Sequence, residues 1–532
     1  MKKVVVALLV IAGASAQALP SFEEVRDGIR SSETRILDRN GEVVQRMRTD
    51  ATVRRGQWVP LSDISPALRS AMVASEDRRF YEHSGVDWQA VPAAAWGNLW
   101  HSRTRGASSI TMQLAGLVDD DWKRGAGGRG LAQKAGQVVA AQVLDRRWRK
   151  DQILEAYLNL VPFRGELVGI DALSRTMFGK AAHGLDEREA AVAAALVRAP
   201  NARAGDVARR ACGVLKALRQ AGTRPDCEGL DMFATGAMQR HAFDASEGIA
   251  AHLARQLVRQ SPGKTSIQST LRAPLQRFAS QTLQQHLREL HGRNVQDGAI
   301  VVLDNATGDV LAWVGSSGES ISDAAQVDGV TALRQPGSTL KPFLYAQAIA
   351  QRRVTAASLL EDSPAHIPTA GGLYIPQNYD RQFKGWVSVR TALGASLNVP
   401  AVRTLVMVSP EDFHKQLRAA GVPLKESGAY YGYSLALGSA EVSLLSLANA
   451  YRSLANGGKF SEVRTGVTPT QPPGARAAID PRAAFIVGDI LSDPNARART
   501  FGTDSVLATR FWTAVKTGTS KDMRDNWALG WS

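Results

Sequence analysis

Three short strings carry the residue types of nucleophilic catalysis. RQPGSTLKPF sets Ser338 three residues before Lys341, GASLNVPAV holds Ser396 and Asn398, and VKTGTS holds Lys516, Thr517, Gly518 and Thr519. A serine hydroxyl is a weak nucleophile and needs a base to take its proton. Residues three apart on a helix share a face, so Lys341 lies beside Ser338. A lysine serves as that base only when deprotonated, a state favoured by burial and by a neighbouring cation such as Lys516. Ser396 suits a proton relay and Asn398 suits a peptide amide. Gly518 lets a strand edge approach an extended peptide, which pairs with it as one more strand. Lys516 and the hydroxyls of Thr517 and Thr519 suit a terminal carboxylate. The backbone N–H groups of Ser338 and Thr519 suit an oxyanion hole. Singly, each string is an ordinary helix start, turn or hairpin end; their order on one chain joins them.

A second constellation lies nearer the N-terminus, in SEDRRFYEHSGVDW, where Glu76 precedes Asp77. Alone it reads as a solvated helix end with i,i+4 pairing. A half-buried glutamate beside a second carboxylate also has the raised pKa that a general base needs. Three further strings accompany it: GASSITMQL (Gly106 to Leu114), KDQILEAYLNLVPFRG (Lys150 to Gly165) and EREAAVAAALVRAP.

The strings at Ser338, Ser396 and Lys516 resemble the active-site motifs of the penicillin-binding transpeptidases. The resemblance runs from about Gly298 to the end, through YIPQNYDRQFKGWVSVRTALGASLNVPAV and LALGSAEVSLLSLANAYRSLANGG. The Glu76 constellation resembles the peptidoglycan glycosyltransferase domain over about Leu61 to Pro200. The order of the two is that of the bifunctional class A penicillin-binding proteins, and arrangement and wording are nearest to the 1C subgroup.

By that resemblance the fold is multidomain: a mostly α, lysozyme-like glycosyltransferase domain, then an α/β transpeptidase domain with an antiparallel sheet flanked by helices. Glu76 is the implied base that deprotonates the sugar 4-hydroxyl of lipid II, which attacks the lipid-linked donor chain with inversion. Asp77, Phe80, His83, Ser109, Gln113 and Lys134 match the substrate-binding positions of its motifs. Ser338, Lys341, Ser396 and Lys516 are the implied catalytic residues of cross-linking through an acyl-enzyme; Asn398, Thr517, Gly518 and Thr519 bind substrate. Two positions depart from the pattern. Gln137 stands where a second glutamate is usual, and Gly116 where a basic residue closes the second motif. Lys123, Arg124 and Arg129 are the cations available to substitute at the pyrophosphate. The resemblance allows a divalent cation there, magnesium or manganese, though no ligand set in the sequence demands one. Implied partners are lipid II, nascent peptidoglycan, β-lactams and the cytoplasmic membrane, on its periplasmic side. Alternatives are a glycosyltransferase whose second domain is inert or carboxypeptidase-like, and a non-catalytic penicillin-binding scaffold. A lysozyme-type hydrolase lacks a second carboxylate opposite Glu76.

The elements that must position these residues are legible in outline. MKKVVVALLVIAGASAQALP is a signal peptide or an uncleaved anchor, within residues 1–18. TRILDRNGEVVQRM reads as a hairpin inside a segment at 30–60. The glycosyltransferase domain is expected over 61–235, with helices at LSDISPALRSAMVASEDRRF, DQILEAYLNLV and DEREAAVAAALVRAP and a basic loop at Lys123 to Gly130. A helical linker follows over 236–297, then the transpeptidase domain over 298–532. There GAIVVLDNATGDVLAWVGS reads as strand, turn, strand, and RDNWALGWS as the strand after Lys516. The family continues past that strand with a closing helix, so the sheet is expected to lack cover near the site. Cys212 and Cys227 are either a disulfide or two free thiols. With 532 residues, 64 Lys and Arg against 50 Asp and Glu, and 44% hydrophobic content, the chain is multidomain, globular and basic. The charge suits membrane surface or pyrophosphate; no zinc-finger or RNP-like string supports nucleic acid.

Overall fold

The computed structural model describes residues 19–89, 108–118, 131–218, 227–239, 246–369, 372–467 and 474–532. The chain divides into two compact units, one of residues up to Thr34 with Arg46–Glu247, the other of Arg35–Gln45 with Gly248–Ser532. The division passes through the expected hairpin. Its strands are β1 (Glu33–Leu37) and β2 (Val43–Arg48). The turn is built on Asp38, whose Oδ1 accepts from the N–H groups of Asn40 and Glu42 at 2.8 and 2.9 Å. On its other side β1 pairs in parallel with Ser266–Gln268, Ile36 opposite Ile267.

The first unit is mostly helical. Helix α1 (Pro66–Glu76) starts on a proline, which needs no N–H there, and buries Leu68, Ala71 and Met72. It stops at Glu76, because Asp77 leaves the helical region at φ −160°. Helices α2 (Ile110–Val118), α3 (Leu131–Arg147), α4 (Lys150–Leu160), α5 (Glu187–Arg198) and α6 (Ala204–Leu218) follow. A capping box of Asp186 and Glu189 starts α5, and every residue from Ala190 to Leu196 is buried. Alanines fill most of that run, so α1 and α6 both pack closely against α5. Cys212, on α6, is bonded to Cys227.

Short strands lie among the helices in two places, within the mostly helical character expected of both. Arg54–Arg55, Pro162–Arg164 and Leu167–Val168 form a small three-stranded sheet in the helical unit. The stretch expected as a helical linker contains strands Ser246–Gly248 and Ser266–Gln268 around the helix Ala251–Gln260. Strands of two or three residues are too short to show an alternating pattern.

In the second unit α7 (Ala273–Glu289) packs on the antiparallel pair β3 (Ile300–Leu303) and β4 (Val310–Val314). The Gln276 amide exchanges two hydrogen bonds with the Trp313 backbone, 2.7 and 2.8 Å. Helix α8 (Lys341–Ala350) is buried from Lys341 to Ala348 and forms the centre. Around it lie α9 (Asn398–Val408), α10 (Leu444–Ala455), α11 (Pro481–Ser492) and the antiparallel pair β5 (Ala514–Thr519) and β6 (Asn526–Trp531). β5 packs on α11 and β6 on α10. Buried Leu529 contributes roughly 1.5–3 kcal/mol to that layer, and Trp531 stands edge-on to Tyr451 at 6.0 Å. The alternate row Val515, Thr517 and Thr519 is half-exposed or exposed. Larger exposed apolar side chains precede the strand, at Phe511 and Trp512.

Among the described residues no helix is long and apolar enough to cross a membrane. The expected signal or anchor and the basic loop Lys123 to Gly130 lie outside the described residues.

The disulfide closes a loop of 15 residues. Replacing both cysteines by serine is expected to remove about 2–3 kcal/mol and lower the Tm of the first unit by several degrees. An unchanged melting curve contradicts a stabilising bond.

Candidate active sites

Glu76 closes α1 and is half-buried. Both its oxygens accept hydrogen bonds, Oε2 from Gln113 Nε2 and Oε1 from Ser75 Oγ, each at 3.1 Å. Gln113 belongs to α2, and its Oε1 accepts from the hydroxyl of Tyr157 on α4 at 2.9 Å. Burial, then the negative charge of Glu76 and Asp77, holds the Tyr157 phenol well above its ordinary pKa.

The other expected substrate-side residues are engaged in building the site. Asp77 is 7% exposed. It accepts from the Ile110 N–H at 3.1 Å and faces His83 Nε2 at 3.0 Å from both oxygens. Phe80 is fully buried beneath Lys150, whose Nζ lies 4.7 Å from the ring centroid and donates to the His83 carbonyl and Asp145. Ser109 donates to the Gly85 carbonyl and accepts from the Met112 N–H, so it caps α2. Gln137 is buried on α3 and Gly116 within α2. The backbone of Lys134 lies in the first turn of α3; its side chain, like Lys123, Arg124 and Arg129, lies outside the described residues. Among the described residues no three His, Cys, Asp or Glu side chains gather as a metal site requires.

The second cluster is tighter. Ser338 lies half-buried in the turn Gly337–Leu340 that leads into α8. Two absent side chains bring β5 against that turn. A Cβ on Gly337, whose φ is +56°, would lie 2.4 Å from the Thr519 carbonyl oxygen, and one on Gly518 would lie 2.3 Å from that of Pro336. Gly518 thus makes room for the serine turn, a role different from the expected approach of a peptide. The Tyr451 hydroxyl fixes the same turn from below, donating to the Thr339 carbonyl at 2.7 Å.

Lys341 is fully buried, and its Nζ donates to Ser396 O, Leu397 O and Asn398 Oδ1 at 2.7, 3.1 and 2.7 Å. Lys516, 3% exposed, donates to Ser396 Oγ at 2.8 Å and to the Thr517 carbonyl at 2.7 Å. Ser396 therefore receives one lysine on its carbonyl and the other on its hydroxyl, from a left-handed backbone at φ +61°. Such a conformation in a non-glycine residue costs roughly 1–3 kcal/mol. Lys516 points inward at Ser396, while Thr517 and Thr519, on the alternate row, face out. Asn398 uses its oxygen on Lys341 and donates to the Gln377 carbonyl at 2.9 Å; it orients the lysine.

Sequence reasoning missed the support for this shell. Asn378 Oδ1 accepts from the Asn398 N–H at 2.9 Å, and its amide donates to both oxygens of buried Asp362. Burial, and secondarily the charge of Lys516, pushes Lys341 well below the ordinary lysine pKa. Burial brings Lys516 down to about 7. The cluster can hold an unprotonated amine at neutral pH.

Residues 40–219 match the family model described as Transglycosylase, and residues 298–531 that of the penicillin binding protein transpeptidase domain. Penicillin-binding protein 1C of Escherichia coli (strain K12) is 35% identical over 494 residues, 89% of this chain and 60% of that protein. Penicillin-binding protein 1F of Bacillus subtilis (strain 168) is 30% identical over 467 residues, 82% of this chain and 61% of that protein. The chain thus spans about three-fifths of the length of these two relatives. The crystal structure of penicillin-binding protein 1A from Haemophilus influenzae shares the fold, with a TM-score of 0.55 at 18% identity over 94% of this chain and 86% of that one.

Lys516 has a folded pKa of about 7 and an unfolded one near 10.4. Below pH 7 both states are protonated and the burial penalty is full; it fades as pH rises from about 7 to 10.4, where only the unfolded chain holds the proton. Lys516→Met is expected to stabilise the second unit by about 1–2 kcal/mol at pH 6, after the two lost hydrogen bonds are discounted. The gain should shrink toward pH 10. Denaturant titrations at both pH values check it; a variant less stable at pH 6 contradicts it.

Proposed function

The chain belongs to the bifunctional class A penicillin-binding proteins, and from this premise we propose that it is a peptidoglycan synthase that polymerises glycan in one unit and cross-links stem peptides in the other. The 1C subgroup is the proposed placement within the family. The proposed substrates are lipid II and the D-Ala-D-Ala ends of nascent peptidoglycan, met at the periplasmic face of the cytoplasmic membrane, with β-lactams as inhibitors.

In polymerisation Glu76 takes the proton of the acceptor 4-hydroxyl. The freed oxygen attacks the donor anomeric carbon, and the bond from that carbon to the lipid pyrophosphate breaks with inversion. In cross-linking the unprotonated amine of Lys341 takes the Ser338 proton as Oγ attacks the penultimate D-Ala carbonyl. The tetrahedral oxyanion sits between the N–H groups of Ser338 and Thr519. The terminal D-Ala leaves with the proton, and an acceptor amine then displaces the serine from the ester. The Ser396 hydroxyl, which accepts from Lys516, relays a proton to the departing D-Ala amine, and Thr517 and Thr519 receive the substrate carboxylate.

The observation that carries this reading is the pair of buried lysine amines on Ser396, Lys341 at its carbonyl and Lys516 at its hydroxyl. An inert or purely scaffolding domain has no use for a destabilising pair of that kind.

Lipid II is the test substrate. Glu76→Gln is expected to lose polymer formation by about 10²–10⁴-fold. Ser338→Ala should keep making glycan chains, without cross-links and without covalent labelling by fluorescent penicillin. Undiminished chains in the first variant, or cross-links in the second, overturn the assignment.

A further inference from the structure

We propose that Tyr157 is a positioning residue for glycosyl transfer: its hydroxyl fixes the Gln113 amide in the orientation that donates to Glu76. The inference rests on the reading of Glu76 as the base.

Three residues from three helices make a directed chain. Tyr157 Oη donates to Gln113 Oε1 at 2.9 Å, and Gln113 Nε2 donates to Glu76 Oε2 at 3.1 Å. An amide has two faces, a donor and an acceptor, which exchange when it rotates by half a turn. Which face meets Glu76 decides which form of the carboxyl is favoured. An N–H stabilises the carboxylate that accepts a proton; a carbonyl stabilises the protonated acid, which is useless as a base. Tyr157 is fully buried, and its hydroxyl has this amide as its hydrogen-bond acceptor. If the amide turned over, the Tyr157 proton would face an N–H and lose its acceptor inside the protein, a costly arrangement. The buried phenol therefore biases Gln113 toward the carboxylate form of Glu76. Burial keeps that phenol protonated throughout the working range, so it stays a donor.

Among the described residues, the other charged groups near these three have partners elsewhere. Asp77 faces His83 and the Ile110 N–H, and Lys150 faces Asp145 and the His83 carbonyl. Arg79 pairs with Asp87. On the remaining turns of α1 and α4, Arg69 and Asp151 lie on the side of Tyr81, and Glu155 accepts from Trp58 and the Leu61 N–H. Arg78 is exposed, donating to the Ala74 carbonyl. None of these groups contacts the Gln113 amide through a hydrogen bond.

The test is the pH profile of lipid II polymerisation by the full chain, for wild type, Glu76→Gln, Tyr157→Phe and Gln113→Met. Removing the phenolic donor frees the amide to turn over and present its carbonyl to the Glu76 carboxyl. Tyr157→Phe is expected to move the acidic limb of kcat/KM upward by roughly half to one pH unit, the worth of one buried hydrogen bond. Its rate at neutral pH should fall about 3–10-fold while the plateau at higher pH is largely kept. A merely structural role lowers the rate equally at all pH values and leaves the limb in place, which overturns the inference. If Tyr157→Phe fails to fold, Gln113→Met, which lacks the amide Tyr157 holds, must show the same upward limb; an unmoved limb there overturns it too. Activity surviving in Glu76→Gln sinks the base assignment and this inference with it. Loss in Glu76→Gln with an unmoved limb in Tyr157→Phe sinks the inference alone.

Discussion

The burial of two lysine amines in one pocket is the constraint around which the second unit is arranged. Among the described residues neither amine is paired with a carboxylate; the contacts of Lys341 and Lys516 are neutral oxygens. Neutral acceptors satisfy the N–H groups without repaying the desolvation of charge, so the proton itself becomes loosely held. That is the condition under which a lysine acts as a base. The cost appears elsewhere in the backbone: Ser396 is forced into the left-handed region, and Asn378 and Asp362 are buried to hold the start of α9.

The first unit solves the opposite problem. Glu76 is kept half-exposed at a helix end, where its donors among the described residues are the neutral groups of Ser75 and Gln113. Its neighbour Asp77 is committed to His83 and the start of α2, so the segment after α1 is fixed without using the Glu76 carboxylate. Two carboxylates adjacent in sequence thus have separate tasks, one structural and one free for chemistry.

The site was legible in the sequence wherever spacing is local. Ser338 and Lys341 share a helical turn, and Lys516 to Thr519 share a strand, so residue types and short distances along the chain sufficed. The link from Glu76 through Gln113 to Tyr157 was not legible, because it joins three helices far apart in sequence, and a tyrosine in an apolar helix face reads as core. Asn378 was quoted within a family string but its role as a support for Asn398 needed coordinates. The direction of Lys516 also needed them: alternation along β5 says that Lys516 and Thr517 face opposite ways, not which of them meets Ser396. Gly518 was read as space for a ligand, and the space is filled by the Ser338 turn. In the fold, the long helices were apparent from apolar period and capping residues, as at Asp186 and Glu189. The strands of two or three residues were not, since their pairing partners lie outside any sequence window.

The central claim is that a neutral Lys341 activates Ser338. The pH dependence of Ser338 acylation by a penicillin, followed by intact mass with the adduct located on a peptide, tests it most directly. The account predicts a single adduct on Ser338, forming at a rate that climbs with pH and levels off well below the ordinary lysine value. A rate that is flat with pH, or that climbs only near the ordinary lysine value of about 10.4, contradicts it.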